Sequence, residues 1–102
     1  MGIDKFDQKT EQKTGEKTAS PPLYKVLMHN DDYTTMEFVV SMLESVFHIP
    51  PTEADQIMLQ IHMRGIGVCG TFPYEIAETK VNQVYVKARH EGFPLKCSLE
   101  MV

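Results

Sequence analysis

The chain has 102 residues, 42% of them apolar, and a formal net charge of −4, a length that supports one compact domain but hardly two. Its mild acidity argues against binding to phosphate backbones or anionic lipid. No apolar run approaches the ~20 residues that cross a bilayer, and the N-terminus lacks the apolar segment of a signal peptide. The expectation is a cytoplasmic protein with no nucleic-acid or membrane partner.

Residues 1 to 20 carry four Lys against four acidic residues, with only Ile3 and Phe6 of any bulk. Such a composition cannot bury enough apolar surface to offset the entropy of ordering, so a disordered arm is expected ahead of a domain over residues 21 to 102. Pro21-Pro22 punctuates the boundary. Tyr24, Val26 and Met28 then alternate with Leu23, Lys25 and Leu27, which predicts a first strand over 23 to 29. The polar tripeptide Asn30-Asp31-Asp32 ends it. Thr34, three residues before Glu37, reads as a capping box.

From 35 to 48 the apolar residues Phe38, Val39, Met42, Leu43, Val46 and Phe47 recur at steps of three and four, predicting an amphipathic helix that Pro50-Pro51 stops. Thr52 is placed to cap a second helix, with Glu53 and Asp55 in its first turn and Ala54, Ile57, Met58 and Ile61 inward. Gly65 suits the left-handed position after its end, so His62 falls in the last turn. The short β-branched run 66 to 72 predicts a second strand. Pro73 opens a third helix on Ile76, Ala77, Val81, Val84, Tyr85 and Ala88, which Gly92 ends. Leu95, Cys97, Leu99 and Met101 alternate with polar residues in a last, half-buried strand. The order β-α-α-β-α-β predicts an α+β fold, a small three-stranded antiparallel sheet packed against three helices on one face. Cys69 and Cys97 have no Cys-x-x-Cys spacing and read as buried thiols, with neither a disulfide nor a metal.

The candidate site joins Asn30, Asp31 and Asp32 to His62. Taken separately, the tripeptide is accounted for by a capped turn and the histidine by a helix C-terminus. Position favours more. His62 projects from the rim of the apolar face that carries Met58 and Ile61. Fixed acceptors beside Met-rich apolar surface suit a ligand with a positive head and a greasy body.

The run Tyr24-Lys25-Val26-Leu27-Met28-His29-Asn30-Asp31-Asp32-Tyr33-Thr34-Thr35-Met36-Glu37-Phe38-Val39 resembles the signature of the ClpS family, bacterial adaptors that deliver N-degron substrates to the ClpAP protease. Later blocks are similar in the same order: Met58-Leu59-Gln60-Ile61-His62 with Gly65, Val68-Cys69-Gly70, Ala77-Glu78-Thr79-Lys80-Val81, and Pro94-Leu95 with Cys97. The resemblance implies an adaptor and not an enzyme, with no cofactor and a monomeric state. Its partners would be proteins beginning with Leu, Phe, Tyr or Trp and the N-terminal domain of a ClpA-type AAA+ unfoldase. Asn30, Asp32 and His62 would hold the α-amino group, with Asp31 adding acidic character. Thr34, Met36, Val39, Met58, Ile61 and Leu95 would line the side-chain pocket. Unfoldase docking would fall on Glu75, Glu78 and Lys80, with the arm assisting delivery. Ile61 stands where relatives often have Val, a departure expected to tighten the pocket.

The chemistry is compatible. An α-ammonium has three donors on one nitrogen, and the Asn30 amide oxygen, the Asp32 carboxylate and a neutral His62 nitrogen would offer three acceptors. Two rival classes share some of these residues. A metal-dependent hydrolase could use Asp31, Asp32 and His62, but zinc motifs and a Gly-x-Ser-x-Gly elbow are lacking, and Ser41 and Ser45 lie within a helical pattern. A plain interaction module docking through the third helix would show no requirement for a free amine.

Overall fold

A computed structural model describes residues 20–102. The expected arm lies outside the described residues except for Ser20. Six elements follow: β1 (Leu23–His29), α1 (Met36–Ser45), α2 (Pro51–Arg64), β2 (Ile66–Pro73), α3 (Tyr74–Glu91) and β3 (Lys96–Met101). The α+β class and the element order are those read from the sequence. β1 is central and pairs antiparallel with both neighbours, in the order β2-β1-β3.

Strand alternation sends successive residues to opposite faces. The inner face carries Val26 and Met28, both fully buried, with Cys69 of β2 and the half-buried Cys97 and Leu99 of β3 beside them. Lys25, Leu27 and His29 point to the other face, where His29 Nε2 lies 2.7 Å from Ser98 Oγ. A register shift between Val26 and Leu27 marks a bulge that sharpens the local twist of β1 against β2.

The helices bury Val39, Met42 and Leu43 from α1, Ala54 and Ile61 from α2, and Ala77, Val84 and Ala88 from α3. Each follows the three-and-four spacing of an amphipathic face. On α3 the stripe is narrower than expected: Ile76 and Tyr85 sit one position off the line 77-81-84-88 and are half exposed. Met101, expected inward at the end of β3, is exposed, because it is the last residue of an edge strand.

Three boundaries also differ from expectation. α1 is capped by Thr35, not Thr34: the Thr35 side chain accepts from the Phe38 amide at 3.1 Å. The helix ends at Ser45, and the chain turns out through His48 in the left-handed region (φ 57°), since Pro50 forces Ile49 towards extended backbone. α2 begins at Pro51 itself, with no side-chain cap, so Thr52 lies inside the helix. A proline at the first helical position lacks only an N–H that would be unpaired there anyway.

Both cysteines are free thiols. Burial raises both, aided for Cys69 by its neighbour Cys97, which itself reaches about 12. Neither has the thiolate character that reactivity requires. Among the described residues, no group of three metal-capable side chains comes together, and no helix is long and apolar enough to cross a membrane.

Candidate functional site

The site forms where β1 ends beside the end of α2. Gly65 closes α2 in the left-handed conformation, φ 88°, with its amide donating to Ile61 O at 2.8 Å. β2 starts at the next residue and pairs Ile66 with His29, the last residue of β1. The Asn30 amide then donates to Gly65 O at 2.9 Å. The polar turn after β1 is thereby fastened to the helix end that carries His62. Thirty residues of sequence separation collapse because two adjacent strands begin and end at this corner.

Asp31 organises the turn itself. Its Oδ1 accepts from the amides of Tyr33 and Thr34, at 2.8 and 2.7 Å, and its Oδ2 accepts from the Thr34 hydroxyl at 2.7 Å. An Asp bonding the amides two and three residues ahead is a self-contained turn former. Partial burial pushes the Asp31 carboxyl up, but the hydrogen bonds from Thr34 and Tyr33 prevail and hold it below its ordinary value. This carboxylate therefore spends acceptor capacity on the backbone, whereas Asn30, Asp32 and His62 are exposed at the rim.

Below that rim lies a cavity of about 220 Å³. Asn30, Asp31, Asp32, Thr34 and His62 border it on the polar side, and Met36, Val39, Met58 and Ile61 on the apolar side. Met36, the first residue of α1, remains 43% exposed and stands at the mouth, while Val39 and Ile61 are buried. The cavity is below the roughly 300–1,000 Å³ of pockets for drug-sized ligands, a scale suited to one side chain. A larger groove of about 610 Å³ runs between α1 and the end of α3, bordered by Phe38, Met42, Val86 and Phe93. Its border also carries Glu37, Ser41, His90 and Glu91; the smaller cavity differs in having its acceptors on a turn that Asp31 fixes by hydrogen bonds to Tyr33 and Thr34.

Leu95 is placed differently from the expectation. It is buried, yet it borders a second cavity of about 230 Å³ with Val81, Val84 and Cys97, under α3. Nothing in an alternating strand distinguishes a residue packed under one helix from one packed under another. Among the expected docking residues, Glu75 is exposed and Glu78 accepts weakly from the Tyr74 hydroxyl at 3.3 Å. Lys80 is half-buried. Its Nζ donates to Val46 O at 2.8 Å and lies 5.3 Å from the Phe72 ring centre and 5.9 Å from that of Phe47. It serves the C-terminus of α1, whose own last turn holds no basic residue.

Sequence reasoning missed Thr35 as the helix cap, because Thr34-x-x-Glu37 fits the capping-box pattern and Thr35-x-x-Phe38 does not. It also missed Gly67, on which a Cβ would lie 2.7 Å from Ile61 Cγ1.

The fold and this corner define a small single-sheet α+β protein with an acceptor-rimmed apolar cavity. A family model described as "ATP-dependent Clp protease adaptor protein ClpS" matches residues 19–98. A ClpS from Syntrophus aciditrophicus is 46% identical over 100 residues, covering 98% of this chain and 94% of that one. Another from Rhodospirillum centenum is 58% identical over 88 residues, covering 86% and 82%. Among solved structures, Agrobacterium tumefaciens ClpS2 bound to L-phenylalaninamide superposes with a TM-score of 0.78 at 36% identity, covering 81% of this chain and all of that one. The chain belongs to the ClpS family of Clp protease adaptors. These are adaptors and not themselves enzymes.

Proposed function

We propose that this protein captures polypeptides through a free α-amino group and a bulky apolar first residue, Leu, Phe, Tyr or Trp, and delivers them to an AAA+ Clp protease. The observation that carries the reading is the single corner where Asn30, Asp32 and His62 ring the mouth of a cavity walled by Met36, Val39, Met58 and Ile61. The ligand of the structural relative, an aromatic residue with a free amine, supports it.

In this reading the ammonium sits among the three acceptors, and the contact with the Asp32 carboxylate is charge-assisted. Asp31 holds the turn that presents its two neighbours. An internal peptide nitrogen offers one donor and no charge, and would leave shielded acceptors unpaired at about 1 to 3 kcal/mol each. The cavity reads the first side chain, whose full burial contributes about 1.5 to 3 kcal/mol for Leu or Phe. Neither half alone explains useful affinity.

Delivery requires a second surface. Glu75 and Lys80 on α3, with Glu78 near them, are the proposed contacts for the N-terminal domain of a ClpA-type unfoldase, and residues 1 to 20 assist the handover. The working unit is a cytoplasmic monomer. The deciding experiment is a fluorescence-anisotropy titration with Phe-first and acetyl-Phe-first peptides. Binding of the free amine alone is expected. Equal affinity for the two would sink the reading.

A further inference from the structure

The apolar wall of the cavity rests on a residue that does not border it. Gly67 is buried on β2, directly beneath Ile61 of α2. A Cβ built on Gly67 would lie 2.7 Å from Ile61 Cγ1, 3.4 Å from Ile61 Cδ1 and 3.5 Å from Ile57 Cγ2. The first distance is closer than real Cβ contacts come. Backbone conformation does not demand this glycine: the positive-φ glycines are Gly65 and Gly92 among the described residues. The demand is steric, for space under Ile61.

Ile61 is 2% exposed and has little freedom to yield. A β-branched side chain within a helix has one strongly preferred rotamer, and extra bulk in a packed layer forces shifts rather than being absorbed. On one side Ile61 meets Gly67, and on another it borders the cavity. Relief of an overlap at Gly67 therefore moves Ile61 towards the cavity.

We infer that Gly67 is a specificity-determining residue: by leaving room on the sheet for Ile61, it keeps the first-residue pocket deep enough for an aromatic side chain. The inference rests on the reading of the cavity as that pocket.

The test is anisotropy with Phe-first and Leu-first peptides on the full chain, for wild type, Gly67→Ala, Ile61→Ala and the double variant, with thermal melts verifying folding. Gly67→Ala is expected to weaken Phe-first binding about tenfold or more and Leu-first binding by about threefold or less, since the wider ligand meets the displaced wall. Ile61→Ala removes Cγ1 and Cδ1 together, and with them the wall that an added Cβ would press inwards. In the double variant no Cγ1 remains to overlap, so its Phe-to-Leu ratio should match that of Ile61→Ala within about threefold. A Gly67→Ala ratio like that of wild type overturns the inference. So does a double variant whose ratio falls about tenfold below that of Ile61→Ala, since position 67 would then act without Ile61. Should Gly67→Ala fail to fold, Gly67→Ala combined with Ile61→Val, which keeps the overlapped γ carbon without Cδ1, takes its place and is compared with Ile61→Val alone. Failure of the adaptor reading is separately visible, as loss of amine selectivity in the wild type.

Discussion

Thr34 is bonded backwards to Asp31 and not forwards into α1: its hydroxyl donates to Oδ2 at 2.7 Å and its amide to Oδ1 at 2.7 Å. The pair turns a flexible polar tripeptide into a rigid rim, and it assigns the two neighbouring aspartates different work. Asp31 bonds the backbone, and Asp32 stands exposed at the rim.

Replacing Asp31 by Ala removes the acceptors for two amides and a hydroxyl and should weaken binding of a Phe-first peptide by about tenfold or more. Asp31→Asn keeps an oxygen for the amides and offers an N–H to the Thr34 oxygen, so it should stay within about threefold of wild type. A direct charge contact with the ligand would instead make Asn as harmful as Ala. Acid stability gives a second readout. Because folding lowers the Asp31 value, its contribution is fully present above the unfolded value near 4 and is lost as pH falls through the lower folded value. The wild type should therefore lose, below about pH 4, a part of its stability that Asp31→Asn never shows. Urea unfolding at pH 3 and pH 6 measures it.

Met36 stands at the cavity mouth with 43% of its surface exposed, an arrangement suited to screening side chains that branch near the backbone. Met36→Ala should admit Ile-first and Val-first peptides, narrowing the Leu-to-Ile affinity ratio by about tenfold, the scale on which a hydrophobic pocket discriminates single methylenes. An unchanged ratio with uniformly weaker binding would make Met36 ordinary packing.

His62 can accept from an ammonium only when its ring is neutral, and protonation makes it a repulsive neighbour. A fixed positive charge at this position should therefore repel the amine, so His62→Lys should weaken Phe-first binding by about tenfold more than His62→Gln, which keeps an oxygen acceptor. Equal affinity of the two variants in the anisotropy titration would remove His62 from the amine contacts.

Lys80 bonds the carbonyl of Val46, the C-cap of α1, from 34 residues further along the chain. Lys80→Met should cost about 1 to 3 kcal/mol in urea unfolding, the range of a hydrogen bond to a charged group, while peptide affinity stays unchanged. Glu75→Ala, at an exposed position, should lie within about 0.5 kcal/mol of wild type and weaken unfoldase binding instead. Equal stability of the two variants would show that the Lys80 ammonium is not committed to Val46.

What the sequence determined by itself was periodic or chemical. The alternation of Val26 and Met28, the three-and-four spacing of Val39, Met42 and Leu43, and the glycine at position 65 specify element types, because burial on one face imposes a period on the residues that achieve it. The acceptors Asn30 and Asp32 and the histidine at a helix end were likewise legible as residue types. Tertiary structure decided which of them meet. The His29–Ile66 pairing and the bond from Asn30 to Gly65 bring the rim together, and the pairing of distant strands leaves no local trace in composition. It also decided that Asp31 builds the turn while Asp32 is exposed at its rim, that Leu95 packs beneath α3, and that Lys80 serves α1. Gly67 is the sharpest case: a missing side chain has no chemistry to read in a sequence, and its consequence exists only where Ile61 leans on the sheet.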